Sequence, residues 1–115
     1  MEIKEFQNKS KRTVQFTGSE HEKVCNMCMG IAGESGEIID YLKKVGFHGH
    51  SFDKQKLINE IGDLMWYITN LATYFNIDMA EVLTANIEKL KIRYPNGFSC
   101  EDSLKRVDIG GKNGE

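Results

Sequence analysis

Four acidic residues form two short pairs whose types and spacing could assemble a metal site. Glu34 and Glu37 stand three residues apart, and Glu60 and Asp63 repeat that spacing after an interval of 22 residues. Residues three apart lie on one face of an α-helix, so each pair presents its carboxylates in nearly the same direction. If the two helices are antiparallel neighbours, we expect all four carboxylates to converge.

The mutual repulsion of converging carboxylates indicates what should lie between them. Two carboxylates about 5 Å apart repel by about 3 kcal/mol at an effective dielectric constant near 20. A divalent cation removes this repulsion, and a ligand set made only of oxygens favours Mg²⁺, with Mn²⁺ as a substitute, over zinc. The alternative is that the acids lie on solvated helix faces, as single pairs with this spacing commonly do.

Apolar residues at helical spacing predict the elements that position these acids. We expect helices over residues 2–12, 20–45, 54–75 and 78–93, with a further turn within 99–106. Ser19, Asp53 and Asp78 are the predicted caps of the three longer helices. The pattern predicts an all-α fold, an antiparallel helical bundle. Glycine is costly inside a helix, so four glycines beside the acids predict close helix approach there; they are Gly30, Gly33, Gly36 and Gly62.

Length and charge restrict the class of protein. A chain of 115 residues fits one domain, and it buries a modest fraction of its surface alone, so we expect a homo-oligomer. The net charge of −2 disfavours a nucleic-acid polymer as partner. No apolar run approaches the roughly 20 residues that span a bilayer, and the acidic start does not resemble a signal peptide. We therefore expect a cytoplasmic protein without a membrane partner.

The order of these motifs resembles the MazG-like nucleotide pyrophosphohydrolases of the all-α NTP pyrophosphatase superfamily. Besides the two acidic pairs, the resemblance rests on Phe47–His50, Glu60–Tyr67 and Asn86–Phe98. It covers about residues 2–106. We accordingly predict a domain over 1–106 and a flexible tail over 107–115.

The resemblance implies hydrolysis of a nucleoside triphosphate between the α and β phosphates, in nucleotide-pool control or house-cleaning. The products are a nucleoside monophosphate and pyrophosphate. On the family's motif, Glu34, Glu37, Glu60 and Asp63 would hold Mg²⁺. Glu34 or Glu37 would be catalytic and accept the proton of the attacking water. Some relatives have a further acid where this chain has Gly33, so the number of metal ions stays open.

The resemblance also assigns residues to the nucleoside triphosphate substrate. The predicted phosphate ligands are Asn86, Lys89, Arg93 and Lys44. The predicted base contacts are Tyr67 and Trp66, although a position in the core is the favoured interpretation of Trp66. Similar proteins are dimers or tetramers whose sites are lined partly by a second subunit.

Two other interpretations stay open. One is a narrow-substrate relative that acts on phosphoribosyl-ATP or on a single deoxynucleotide such as dUTP or dCTP. The other is a catalytically silent helical oligomer that binds a nucleotide or a metal. The products formed from a panel of nucleotides distinguish these interpretations.

Overall fold

Helices make up most of residues 1–110, the part of the chain that this computed structural model describes. They are α1 (Ile3–Ser10), α2 (Glu20–Phe47), α3 (Lys54–Tyr74), α4 (Met79–Arg93) and α5 (Cys100–Lys105). A turn of 3-10 helix, Val107–Ile109, follows α5. The described residues contain no β-strand, so the prediction of an all-α fold is confirmed. None of the helices in this part of the chain has the length and apolarity needed to cross a bilayer.

Each of the two long helices begins after a capping residue whose side chain accepts a hydrogen bond from a backbone N–H of the first turn. At the start of α2 the Ser19 hydroxyl accepts from the N–H of Glu22, and the Glu22 carboxylate accepts from the N–H of Ser19, both at 3.1 Å. This reciprocal pair satisfies two amide groups that a helix end would leave unpaired. At the start of α3 the Asp53 carboxylate accepts from the N–H of Gln55 at 3.0 Å. The predicted caps at Ser19 and Asp53 are confirmed, and the cap at Asp78 stays a prediction.

Contacts at both ends show that α2 and α3 are antiparallel. Near the end of α2, the Tyr41 hydroxyl donates to the carbonyl of Asp53 and accepts from its N–H, at 3.2 and 2.6 Å. At the opposite end, the Tyr74 hydroxyl on α3 donates to the Glu20 carboxylate on α2. Because Asp53 caps α3, the buried Tyr41 holds the start of α3 directly against α2.

Helices α2 and α3 approach each other closely at Gly30. A Cβ atom built at this glycine would stand 2.1 Å from Cε1 of Tyr67, so only a residue without a side chain fits. Close approach is therefore confirmed at Gly30. The same prediction is wrong for Gly33, Gly36 and Gly62, where an added Cβ would meet no described atom within 4 Å.

Helix α1 packs on a different side of α3 from α2. The buried Gln7 amide donates to the Thr73 hydroxyl at 3.0 Å and to the carbonyl of Ile77 at 2.9 Å. In the segment after α1, the Thr13 hydroxyl accepts from the indole N–H of Trp66 at 2.8 Å. With α2 and α3, α1 belongs to a compact unit that ends at Asp78.

A second compact unit begins at Met79 and is organised around a buried ion pair. Arg93, at the end of α4, donates from Nε and Nη2 to the two carboxylate oxygens of Asp108, each at 2.8 Å. The Asp108 side chain is fully buried, and Arg106 Nε lies 3.4 Å from it. Two charge-assisted hydrogen bonds in a fork geometry are a strong and directional contact.

This ion pair corrects the start of the predicted tail. Residues 107–110 were expected to be flexible, whereas Val107–Ile109 form a turn whose buried Asp108 is bound to Arg93. The turn is entered at Arg106 and left at Gly110 through left-handed backbone, with φ of 49° and 70°. The rest of the predicted tail, 111–115, lies outside the described residues.

The contact at Gly30 predicts a specific loss of stability. Gly30→Ala should lower the free energy of unfolding by about 1–3 kcal/mol, because the Tyr67 ring or one helix must move to admit the methyl group. Urea denaturation followed by circular dichroism measures this loss. Gly46→Ala, also within α2, is the control, because its Cβ meets no described atom within 4 Å. Equal effects of the two substitutions would contradict the interpretation of Gly30.

Candidate metal centre

The structure brings three of the four predicted acids together. Glu34 lies in the middle of α2, and Glu60 and Asp63 lie on the neighbouring α3. One carboxylate oxygen from each of these residues lies within 4.8 Å of the other two. We call this set, Glu34, Glu60 and Asp63, the carboxylate cluster. Glu34 and Glu60 are half-buried, whereas Asp63 is exposed.

Glu37, the fourth predicted acid, lies beside the carboxylate cluster and is not part of it. Its side chain is exposed on α2. Its charge still reaches the cluster, because it is one of the carboxylates that raise the pKa of Glu34. The geometry therefore gives three converging carboxylates with a fourth at their edge.

The electrostatics of the cluster centre on Glu34. Partial burial raises the pKa of this carboxyl group first, and the charges of Asp63, Glu60 and Glu37 raise it further. Among the described residues, none of the three cluster acids forms an ion pair with a lysine, an arginine or a histidine. The negative charge of the cluster is thus uncompensated by the described side chains.

This donor set fits a hard divalent cation. Three carboxylates offer only oxygen ligands, which suit Mg²⁺ and Mn²⁺ and are poor ligands for softer metals. They converge without a neighbouring cation from the protein, so a bound divalent ion would relieve their repulsion. Exposed Asp63 leaves the cluster open to solvent on one side, which gives an ion and its water ligands access.

The predicted phosphate ligands differ in whether their donor groups are already bound by other side chains. Lys44 forms an ion pair with Asp40 one turn earlier on α2, at 2.8 Å, with both side chains about 40% exposed. Such a surface pair is weak and does not prevent a contact with a phosphate. On α4, Asn86 and Lys89 are exposed, whereas two donor groups of Arg93 are engaged by Asp108.

The two predicted base contacts face different neighbours. Tyr67 follows Asp63 by one helical turn and lies against Gly30, where the two long helices meet. Trp66 packs edge-on against Tyr67, with ring centroids 4.9 Å apart, and its indole N–H is bound to Thr13. Its polar atom is therefore used in holding the segment after α1 against α3. A contact with a base stays a prediction for both residues.

Three residues with a part in this arrangement were not assigned a role from the sequence. Asp40 binds Lys43 and Lys44, and the spacing of three and four residues on one helix could have indicated it. Tyr41 shares a helical face with Glu34, but nothing in the sequence points to its bonds with Asp53. Asp108 lies 15 residues from Arg93, and no periodic pattern links the two.

The raised pKa of Glu34 predicts a dependence of stability on pH. A carboxyl group whose pKa is higher in the folded state stabilises the fold when protonated, and this stability is lost as the pH rises through the folded pKa. Without metal, Glu34→Gln should therefore gain stability relative to the wild type as the pH rises above about 4, the ordinary range of a glutamate. Thermal unfolding in EDTA measures the difference.

Addition of Mg²⁺ should reverse this difference, because only the wild-type cluster has all three carboxylates. Glu37→Gln provides a comparison, since Glu37 lies outside the cluster and its neutralisation should have a smaller effect. A pH dependence that is identical in wild type and Glu34→Gln would contradict the conclusion that burial and the neighbouring acids raise the pKa of Glu34.

Comparison with known proteins identifies the family. The model of the MazG nucleotide pyrophosphohydrolase domain matches residues 22–98, which include α3, α4 and nearly all of α2. A curated relative, the "Gene 37 protein" of Mycobacterium phage L5, is 32% identical over 80 residues, which cover 66% of this chain and 70% of that protein. No solved structure matches the chain significantly. The family match spans more than half of the chain and contains the whole carboxylate cluster, so the chain belongs to the MazG nucleotide pyrophosphohydrolase family.

Proposed function

We propose that this protein is a Mg²⁺-dependent nucleoside triphosphate pyrophosphohydrolase. It cleaves the anhydride between the α and β phosphates and releases a nucleoside monophosphate and pyrophosphate. The observation that carries the proposal is the uncompensated cluster of Glu34, Glu60 and Asp63 within the segment that matches the family. A triphosphate carries its own negative charge, so this cluster can bind it only through a cation.

Glu34, Glu60 and Asp63 are the proposed metal ligands, with Mn²⁺ as a substitute for Mg²⁺. The bound ion would supply neutralisation of the phosphate charge and a lower pKa for a coordinated water. Partial burial of Glu34 and Glu60 limits competition from bulk water for these two ligands. Asp63 is exposed and completes the set from the open side.

The placement of the acids favours Glu37 as the proton acceptor. Glu34 directs an oxygen at Glu60 and Asp63, so its carboxylate is committed to the cluster. Glu37 lies at the edge of the cluster and is exposed, which leaves its carboxylate free to take the proton of an attacking water. Glu34 is the alternative base, because partial burial and the neighbouring acids raise the pKa of its carboxyl group.

We assign the phosphate contacts to side chains whose hydrogen-bond donor groups are still available to a substrate. Lys44, Asn86 and Lys89 are the proposed phosphate ligands, and Tyr67 is the proposed base contact next to the cluster. Arg93 can join the phosphate ligands only by exchanging its two hydrogen bonds with Asp108 for bonds to a phosphate. Trp66 would contribute to the base contact through its ring, because its N–H is bound to Thr13.

The exposed apolar residues support a homodimer or homotetramer. On α2, Met29 and Ile39 are 73% and 67% exposed, and Phe47 at its end is 85% exposed. Large apolar side chains at this exposure lose contact with water when copies of the chain associate. Sedimentation equilibrium should therefore give a mass two or four times 13.1 kDa, whereas a monomer at micromolar concentration would contradict the proposal.

We further propose that free nucleotides are the substrates. The chain would act in the cytoplasm, in nucleotide-pool control or house-cleaning, and not on nucleic-acid polymers or membranes. The acidic net charge supports this choice, because polymer binding relies on a basic excess.

A panel of canonical and modified nucleotides tests the reaction. With Mg²⁺, we expect monophosphate and pyrophosphate, separated by ion exchange, from at least one nucleoside triphosphate. Glu60→Gln should reduce turnover at least about 100-fold, the scale on which electrostatic and acid–base groups act. Its metal-free thermal stability should be unchanged or higher, because one of three repelling charges is removed.

Glu81→Gln is the matched control, because it removes an exposed acid on α4 and should retain wild-type turnover. Diphosphate and phosphate as products would contradict α–β cleavage. Product from a single deoxynucleotide or from phosphoribosyl-ATP would select the narrow-substrate interpretation. Nucleotide binding without product, with Mn²⁺ also tried, would select the silent oligomer.

A further inference from the structure

A polar cavity lies away from the carboxylate cluster, between α1 and the chain that leaves α3. Its volume is about 190 Å³. Its lining includes the side chains of Lys4, Gln7, Asn8, Lys11, Thr73 and Asn76. We call this cavity the basic crevice. It shares no residue with the carboxylate cluster.

The inner wall of the basic crevice is held rigidly. Gln7 is only 6% exposed, and its amide donates to the Thr73 hydroxyl and to the carbonyl of Ile77. Asn76 ends the turn after α3 in left-handed backbone, with φ of 56°, and its N–H donates to the carbonyl of Thr73 at 3.0 Å. The amide of Gln7 and the hydroxyl of Thr73, which donates to the carbonyl of Thr69 at 3.1 Å, are therefore used within the wall, and the donors left to a ligand are those of the lysines and asparagines.

Two lysines give the crevice its charge. Lys4 and Lys11 are seven residues apart and flank the cavity from the same side of α1. Neither forms an ion pair with an acid of residues 1–110, whereas Lys9 on the same helix binds Glu5 at 2.9 Å. Asp78 is the one acidic residue among the described residues that line the crevice. The lining therefore carries two positive charges and one negative charge. The two ammonium groups can thus act as ligands for an anion.

We propose that the basic crevice binds a small phosphate-type oxyanion. Ammonium groups donate charge-assisted hydrogen bonds to phosphate oxygens, and side-chain amides donate neutral ones. A cavity of about 150 Å³ accommodates benzene, so 190 Å³ admits a phosphate group with some water. This volume matches a single phosphate group better than the drug-sized ligands whose sites begin at about 300 Å³.

Binding at this place would add a link between two elements that Gln7 already joins. Lys4 and Lys11 belong to α1 and its end, whereas Thr73 and Asn76 belong to the end of α3 and the turn after it. An anion held by both sides would stabilise the packing of α1 on α3. This role is independent of the proposed nucleotide hydrolysis, which uses the face of α3 that meets α2.

Titration of the full chain with inorganic phosphate tests the proposal. Amide shifts in ¹⁵N–¹H spectra are followed at constant ionic strength, in EDTA and without nucleotide, so the carboxylate cluster does not contribute. We expect saturable shifts confined to residues 4–11 and 73–78. The double variant Lys4→Ala/Lys11→Ala should weaken binding at least tenfold.

Lys9→Ala is the matched control, because it removes a lysine of the same helix that is already paired with Glu5. It should bind phosphate as the wild type does. Shifts that do not saturate, or that lie outside the crevice, would overturn the proposal. So would equal affinity in the double variant and the wild type, provided that circular dichroism shows both to be folded. A failure here leaves the hydrolysis proposal standing, since no metal or nucleotide is present.

Discussion

The repulsion among carboxylates on α2 and α3 is the constraint on which the rest of the molecule depends. Two helices that bring Glu34, Glu60 and Asp63 within 4.8 Å need strong contacts elsewhere to stay together. Tyr41 with Asp53 at one end of the pair, Tyr74 with Glu20 at the other, and Gly30 in the middle supply these contacts. The fold thus holds an electrostatically unfavourable arrangement in place, and a cation is the species that makes it favourable.

Local rules predicted the positions of the helices and the pairing of the acids. Capping at Ser19 and Asp53 depends on neighbours two or three residues away, so it can be seen in a linear sequence. The position of Glu37 outside the cluster depends on the angle of its side chain around the axis of α2. Residues three apart differ by about 60° around that axis, so a single neighbouring helix need not face both. On α3, by contrast, Glu60 and Asp63 both reach Glu34.

Other features could not be predicted because they depend on contacts between distant parts of the chain. Glycine's low helix propensity shows that a position tolerates a cost, but it does not show what the glycine contacts. Gly30 accommodates the Tyr67 ring, whereas a Cβ added at Gly33 or Gly36 would meet no described atom within 4 Å. The ion pair of Arg93 with Asp108 joins a helix end to a segment that composition alone describes as a tail. In each case the partner, and not the residue itself, determines the role.

The burial of Asp108 has a consequence for how much of the chain is needed to fold the second unit. A chain cut after Arg106, at the domain boundary that motif matching gives, would keep Arg93 and lose the carboxylate that binds it. Two donor groups of Arg93 would then lose the carboxylate that binds them, and the end of α4 would lose its link to the turn that follows α5. A family resemblance defines a domain by the residues that related sequences share. The folded unit also includes Asp108, which lies beyond that boundary and binds Arg93.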